Sequence, residues 1–461
     1  MHTREPNSMM TLKVIYNQCK YVTLYARAWG KIMKRNKGVS QTVWMIIVAV
    51  LIIIIVAMGV VWYLTPPAPE EKPTLTVFSL WGGGEEANFL QCLGNFTEDT
   101  GINVTHYHYT TEDLLIGVPM QLRAESSVAD VVIAPWPAWI MELAGEGHLT
   151  EVTNLITATK YPTGYINAVK DTSNKIWAAP FKASGKPGFW YKKSFFTDNT
   201  LSVPTTYDEF ETLLADITAI TGIESAVASG DTVGWPLSDT TEAFIMGIGG
   251  YQLQEDLMMG PSARNWTDPQ VVAVFEDLTE LLAHNTLGDD YFSDPAEWTS
   301  QITKLWDEKY GIYFMGSWMT TMPQIGDVSD LDFFPFPGTD GVGGAVDYLI
   351  IPKYAPHPDE AKELFQWLAG AEAQEIMVGL GGFFGTHADV PETAYTTLDK
   401  KVLDFISQST IHIVSDLDDA IGGKFQTTFW AQLRLLWVSP TASTMNDVLD
   451  ALQEQALAQQ T

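Results

Sequence analysis

Indole rings and carboxylates are the groups in this sequence best placed to do chemistry. There are 16 tryptophans, many beside Pro, Gly or small polar residues. Trp81 closes Leu75-Thr-Val-Phe-Ser-Leu-Trp81, Trp136 follows Ala134-Pro135, and Trp235 opens Trp-Pro-Leu-Ser-Asp239. Trp318 ends Met-Gly-Ser-Trp, and Trp430 follows Thr-Thr-Phe. An indole offers a flat apolar face that stacks on the C–H face of a sugar ring, while hydroxyls take Asp, Glu, Asn or Lys partners. Any one of these rings could equally be ordinary core. Several together at strand ends favour a binding role.

Other chemistries find little support. No G-x-S-x-G elbow, H-E-x-x-H pair, phosphate loop or cysteine pair for a metal is present. Gly82-Gly83-Gly84 lies between an expected strand and helix but lacks G-x-G-x-x-G spacing, and Glu85 and Glu86 follow at once. Two carboxylates at a helix start suit its dipole and disfavour a bound anion. His106 and His108 alternate along a strand, yet no third ligand stands near, so they read as surface histidines. Glu85 and Glu86 are the nearest approach to a glycosidase pair, but adjacent helical residues point about 100° apart. No cofactor and no metal are expected.

The elements that must position these groups alternate. Strands are expected at 75–81, 102–109, 129–134, 175–180, 188–191, 311–315 and 344–351, with helices at 85–100, 114–125, 137–146, 359–368 and 441–457. Thr206-Tyr-Asp-Glu209 has capping-box spacing ahead of a helix to about Ile220, and residues 242–288 read as mostly helical. Strands joined through helices imply crossovers and a largely parallel sheet. In such sheets ligands bind beyond the strands' carboxyl ends, where Trp81, Trp136 and Trp318 are expected. The body after the first helix, roughly 390 residues, supports two α/β lobes.

Upstream, Val43–Leu64 carries no charged or amide side chain and rises roughly 30 Å as a helix, the thickness of a bilayer's hydrocarbon. Lys31, Lys34, Arg35 and Lys37 precede it and Glu70 and Glu71 follow, so the N-terminus is expected in the cytoplasm and the body outside. Beyond Gly38 the chain holds 18 bases against 55 acids, which makes nucleic acid a poor partner. Cys92 is the only cysteine after the anchor, so packing alone must hold the body. Cys19 lacks the context of a lipidated cysteine. Asn95, Asn103 and Asn265 open glycosylation sequons.

Two resemblances extend this reading. Met33-Lys34-Arg35-Asn36-Lys37-Gly38-Val39-Ser40-Gln41 resembles the class III, prepilin-like signal of archaeal surface proteins. That implies cleavage between Gly38 and Val39, a retained helix, and Met33 as initiator. Asp130-Val-Val-Ile-Ala-Pro-Trp136, Leu143-Ala-Gly-Glu-Gly-His-Leu149, Trp190-Tyr-Lys-Lys193, Met315-Gly-Ser-Trp318 and Gly344–Lys353 resemble, in order and spacing, the extracellular solute-binding proteins that include maltose-binding protein. The likeness runs over about residues 74–440. It implies a two-lobed periplasmic-binding-protein-like fold with a hinge, preceded by one transmembrane helix. It also implies a carbohydrate ligand, with an ABC importer's permease and ATPase as partners. Trp136, Trp235, Trp318 and Trp430 then fall at cleft positions. The expected set is Trp81, Trp136, Trp235, Trp318 and Trp430 as stacking faces, Glu85, Asp239 and Asp347 as hydroxyl acceptors, and Lys182 as a donor. Pro137-Ala138 and Ser184-Gly185-Lys186 depart from the maltose-binding member, which has charged sugar ligands there, so the ligand's class carries over better than its identity.

The expected organisation is a leader at 1–38, an anchor at 39–64, a Pro/Glu-rich linker at 65–73, one lobe from 74–184 with about 344–386, and the other from 185–343 with about 387–461. Peptide, polyamine or glycerol phosphate binding, and a surface glycosidase, are the alternatives.

Overall fold

The computed structural model describes residues 40–64, 72–127 and 129–459. The basic leader with Cys19, Met33 and the Gly38 junction, and residues 65–71 of the linker, lie outside the described residues. The chain divides into two units, 1–71 and 72–461.

The described part of the first unit is a helix, Gln41–Leu64, beginning two residues before the expected span. Its window Thr42–Gly59 has mean hydropathy 2.9, and none of it is buried against protein. Its 24 residues rise about 36 Å, long and apolar enough to cross a membrane.

Among the described residues, the second unit carries thirteen strands. They are β1 (Thr74–Ser79), β2 (Asn103–His108), β3 (Val131–Ala134), β4 (Ala179–Gly185), β5 (Gly188–Lys192), β6 (Ser225–Ala228) and β7 (Gly230–Asp231). There follow β8 (Ala296–Glu297), β9 (Tyr310–Met315), β10 (Leu331–Phe334), β11 (Gly341–Ile350), β12 (Phe384–Gly385) and β13 (His412–Ser415). One sheet runs β12-β4-β11-β3-β1-β2, with β13 also on β11; a second runs β10-β5-β9-β6.

Each sheet has its own core. The first buries Leu75, Val77, the β3 run Val131–Ala134, Phe181 and Leu349 with Phe89 from the helix Gly83–Thr100. The second buries Phe189, Phe210, Phe244, Phe275, Phe314 and Phe334. This is the two-lobed α/β arrangement the alternation implied. A third apolar cluster, including Trp190, Tyr313, Met315, Met319 and Phe384, has Trp235, Trp298 and Trp318 packed on its margin.

Local chemistry explains the element ends. Thr206 and Glu209 cap the helix Tyr207–Thr218 reciprocally, as their spacing implied. Gly101, with φ of 72°, closes the helix Gly83–Thr100 in the left-handed region. Two expectations fail. The first sheet is mixed: β1 is parallel to β2 and β3, but β11 is antiparallel to β3 and β4. β11 follows β10 of the second sheet, so it reaches β3 and β4 by a passage between sheets and not by a strand–helix–strand crossover within one. The strand expected at 175–180 starts at Ala179. Asp171 accepts from the Ser173 and Lys175 amides and from the Trp177 indole, and this local bonding competes with a ladder.

Candidate functional site

The sheets are joined where β4 runs into β5 through Lys186 and Pro187, and two lysines four residues apart organise the polar side chains there. Lys182 and Lys186 are 4 % and 5 % exposed, so each charge needs partners.

Lys182, on β4, stands opposite Asp347 on β11 and ion-pairs with Glu85 from the first turn of the helix Gly83–Thr100. Its Nζ lies 5.4 Å from the Trp81 ring centre and 5.8 Å from that of Trp318, within cation–π range of both. Trp81 donates its indole N–H to Asp347 Oδ2 at 2.9 Å and stacks on Phe181 at 5.7 Å. Trp318 folds over Gly316, where a Cβ would lie 2.1 Å from the indole. It meets Trp235 edge-on at 5.7 Å, and Trp235 in turn meets Trp298 at 5.2 Å. The Trp318 indole nitrogen is buried without a hydrogen-bond partner. Burial pulls the Lys182 ammonium down, but Glu85 and Asp347 outweigh it and leave it raised. Burial raises Asp347 to about 6 against the pull of Lys182.

The Gly82-Gly83-Gly84 turn serves contact between backbones. A Cβ on Gly84 would sit 1.8 Å from the Thr321 carbonyl oxygen, and one on Gly382 would sit 2.8 Å from Thr321 Cγ2. Only glycine lets the helix start approach the Ser317–Thr321 turn this closely. Beside it, a cavity of about 10 Å³ is bounded by Trp81, Glu85, Lys182 and Phe383, less than a water needs with comfort. A solute larger than water enters here only if these walls separate.

Lys186 ion-pairs with Asp239 and Asp416. Asp239 and Glu242 lie three apart on the helix Trp235–Gly249 and so share a face. Glu242 accepts from Gln254 Nε2 at 2.6 Å and the Leu417 amide at 2.9 Å, and Asp418 accepts from the Trp430 indole. Trp430 lies against Gly234, whose φ is 94° and whose absent Cβ would fall 2.5 Å from the ring. Burial drives Asp239, Glu242 and Asp419 well up and Asp418 to about 6; neighbouring carboxylates add to this and Lys186 opposes it. Lys186 itself stays raised, because Asp239 and Asp416 outweigh its desolvation.

The expected residues therefore divide. Trp81, Glu85, Lys182, Asp347 and Trp318, with Trp235 behind, form one cluster, while Asp239 and Trp430 belong to the other. Trp136 joins neither: it is 3 % exposed and packs edge-on to Trp139 at 6.0 Å. Sequence reasoning missed Lys186 as a partner of carboxylates, and it missed Glu242, Asp416, Asp418 and Asp419. The Asp416-Leu-Asp-Asp419 run after a strand, with the three-residue spacing of Asp239 and Glu242, was the available signal.

The histidines differ from expectation. His108 is exposed, but His106 is buried and makes a relay: Ser79 Oγ to His106 Nε2 at 2.8 Å, and His106 Nδ1 to Glu86 Oε1 at 3.2 Å. Ser79 Oγ also accepts the Trp81 amide at 3.0 Å. Burial lowers the imidazole's pKa, with Glu86 opposing, which favours the neutral ring.

Two lobes linked by crossing strands, with buried ion pairs and indoles at the junction, define the class of two-lobed solute receptors. The chain belongs to the bacterial extracellular solute-binding protein family, whose sequence profile matches residues 83–375. An uncharacterised ABC transporter extracellular-binding protein of Pyrococcus horikoshii is 40 % identical over 394 residues, 85 % of this chain and 90 % of that one. The alpha-glucosides-binding periplasmic protein AglE of Rhizobium meliloti is 26 % identical, over 65 % of this chain and 64 % of its own. Among solved structures, the bacterial solute receptor AcbH, which prefers β-D-galactopyranose, superposes with a TM-score of 0.71 at 22 % identity, covering 84 % of this chain and 99 % of its own. A chitin oligosaccharide binding protein gives 0.69 at 18 % identity, covering 84 % and 98 %.

Proposed function

We propose that the chain is a membrane-anchored receptor that binds a carbohydrate, an oligosaccharide, between its lobes and delivers it unchanged to an ABC importer. The observation that carries this is the Lys182 cluster. Indole faces of Trp81 and Trp318 flank an ammonium and two carboxylates, which is the mixture of apolar face and hydrogen-bonding edge that a sugar presents. The sugars bound by AglE and AcbH support the same class of ligand. In this reading Trp81, Trp318 and Trp235 stack, Glu85 and Asp347 accept hydroxyls and Lys182 donates. Asp239 and Trp430 extend the surface from the Lys186 side. The ligand touches both lobes only when they are closed, so it shifts the open–closed equilibrium.

The lobes divide as residues 74–184 with about 344–386, and 185–343 with about 387–461, with β13 reaching back to β11 of the first sheet as a linking strand. The helix Gln41–Leu64 remains on the mature protein after cleavage between Gly38 and Val39 and places the body outside the cell. Isothermal titration of the full chain against mono- and oligosaccharides tests the ligand class. Saturable binding of one sugar supports it; silence across the panel with tight binding of a peptide or polyamine refutes it. Recovery of the sugar uncleaved separates a receptor from a glycosidase. N-terminal sequencing of the membrane-bound form tests the anchor.

A further inference from the structure

The Lys186 cluster holds more carboxyl groups than one ammonium could neutralise were they all ionised. Asp239, Glu242, Asp416, Asp418 and Asp419 all act electrostatically within it, against one lysine. Lys186 engages one oxygen of Asp239 and one of Asp416. Their other oxygens, Asp239 Oδ2 and Asp416 Oδ1, are buried without a hydrogen-bond partner, and so is Gln254 Oε1. Native interiors rarely leave such acceptors unmatched. One oxygen from each of Glu242, Asp416 and Asp418 lies within 4.8 Å of the others.

We propose that Glu242, Asp416 and Asp418 bind a calcium ion, with the Gln254 amide nitrogen holding Glu242 in place from behind. All donors are oxygens, which selects a hard cation over zinc or copper. Oxygens bound to one calcium at about 2.3–2.6 Å stand no more than about 5 Å apart, and the observed spread fits that limit. Magnesium draws its ligands to about 2.0–2.1 Å and retains several waters, which a buried, side-chain-filled site accommodates poorly. The ion ties the helix Trp235–Gly249 to the turn Leu417–Ile421. Gly422, just after that turn, approaches Ala138 so closely that a Cβ would lie 2.7 Å from the alanine's. Calcium would thus set the rim of the second lobe where it meets the first.

The test uses the full chain in detergent, stripped with a chelator and free of sugar, so its result is independent of the carbohydrate reading. Calorimetric titration with calcium chloride is expected to show one saturable site and a raised melting temperature, with magnesium at least tenfold weaker. Glu242→Gln and Asp418→Asn should each weaken calcium tenfold or more. Absence of saturable binding and of any melting shift, at acid and at neutral pH alike, would mean that protons alone balance the cluster and would overturn the proposal. So would calcium binding unchanged in both variants, or tighter binding of magnesium. Should a variant misfold, terbium luminescence sensitised by Trp430 reads the same site in the unmodified protein, and emission that calcium cannot displace counts against it.

Discussion

Two lysines four positions apart meet opposite situations. Lys182 sits between two indoles and faces two carboxylates, Glu85 and Asp347, at close range, a smaller surplus of acid than its neighbour meets. Lys186 faces a surplus of carboxyls and leaves buried oxygens unmatched. The first cluster can exchange its internal ion pair for the hydroxyls of a neutral ligand. The second is built to hold positive charge. Apolar rings decide the difference: beside Lys182 they occupy space that further carboxylates occupy beside Lys186.

The contrast can be broken most forcefully at Lys186. Lys186→Met leaves several buried carboxyls without their cation and should cost about 3–5 kcal/mol, seen as a large fall in the midpoint of urea unfolding. Removing charge from the Lys182 side should affect ligand more than fold. Gly84→Ala places a methyl against the Thr321 carbonyl, so the helix start and the Ser317–Thr321 turn must move apart; it should weaken sugar binding by about 30-fold or more and lower the melting temperature modestly. Calorimetry paired with thermal melting separates the two effects. Trp318→Ala should cost about tenfold in sugar affinity, about 1.4 kcal/mol, with calcium binding retained.

The smallest effect is on pH dependence. Asp347 and Asp418, each pushed up to about 6 by burial, hold protons more tightly folded than unfolded. Protonation therefore favours the fold. In the absence of metal, melting temperature should rise as pH falls from about 7 through 6 toward 5. Asp347→Asn should flatten that slope in part, and a melting temperature that falls over the same window would contradict the assignment.

Much of the scaffold was legible because it rests on short-range rules. The Thr206–Glu209 capping box, the all-apolar β3 and the uncharged Val43–Leu64 run each specify their element without reference to the rest of the chain. The direction of strand pairing was not legible, because β11 takes its direction from a partner more than two hundred residues away. In the site, Trp81, Glu85 and Trp318 could be found from their places beside glycines and strand ends. The Lys186 cluster gathers residues from 186 to 419, and only the folded chain reveals that five acids share one ammonium. Trp136 had the same sequence signature as Trp81 but was drawn into packing by Trp139, three residues along the same helical turn.

The Ser79–His106–Glu86 relay has the order and distances by which hydrolases are recognised. Here the serine has no exposed surface, and its oxygen is held by the Trp81 amide. Its effect is mechanical: a brace running from the partly exposed Glu86 through β2 to the backbone of a ring at the lobe junction. Templates that match three side chains and ignore access would retrieve this receptor as an esterase, and a chromogenic ester would show whether the brace can ever be reached.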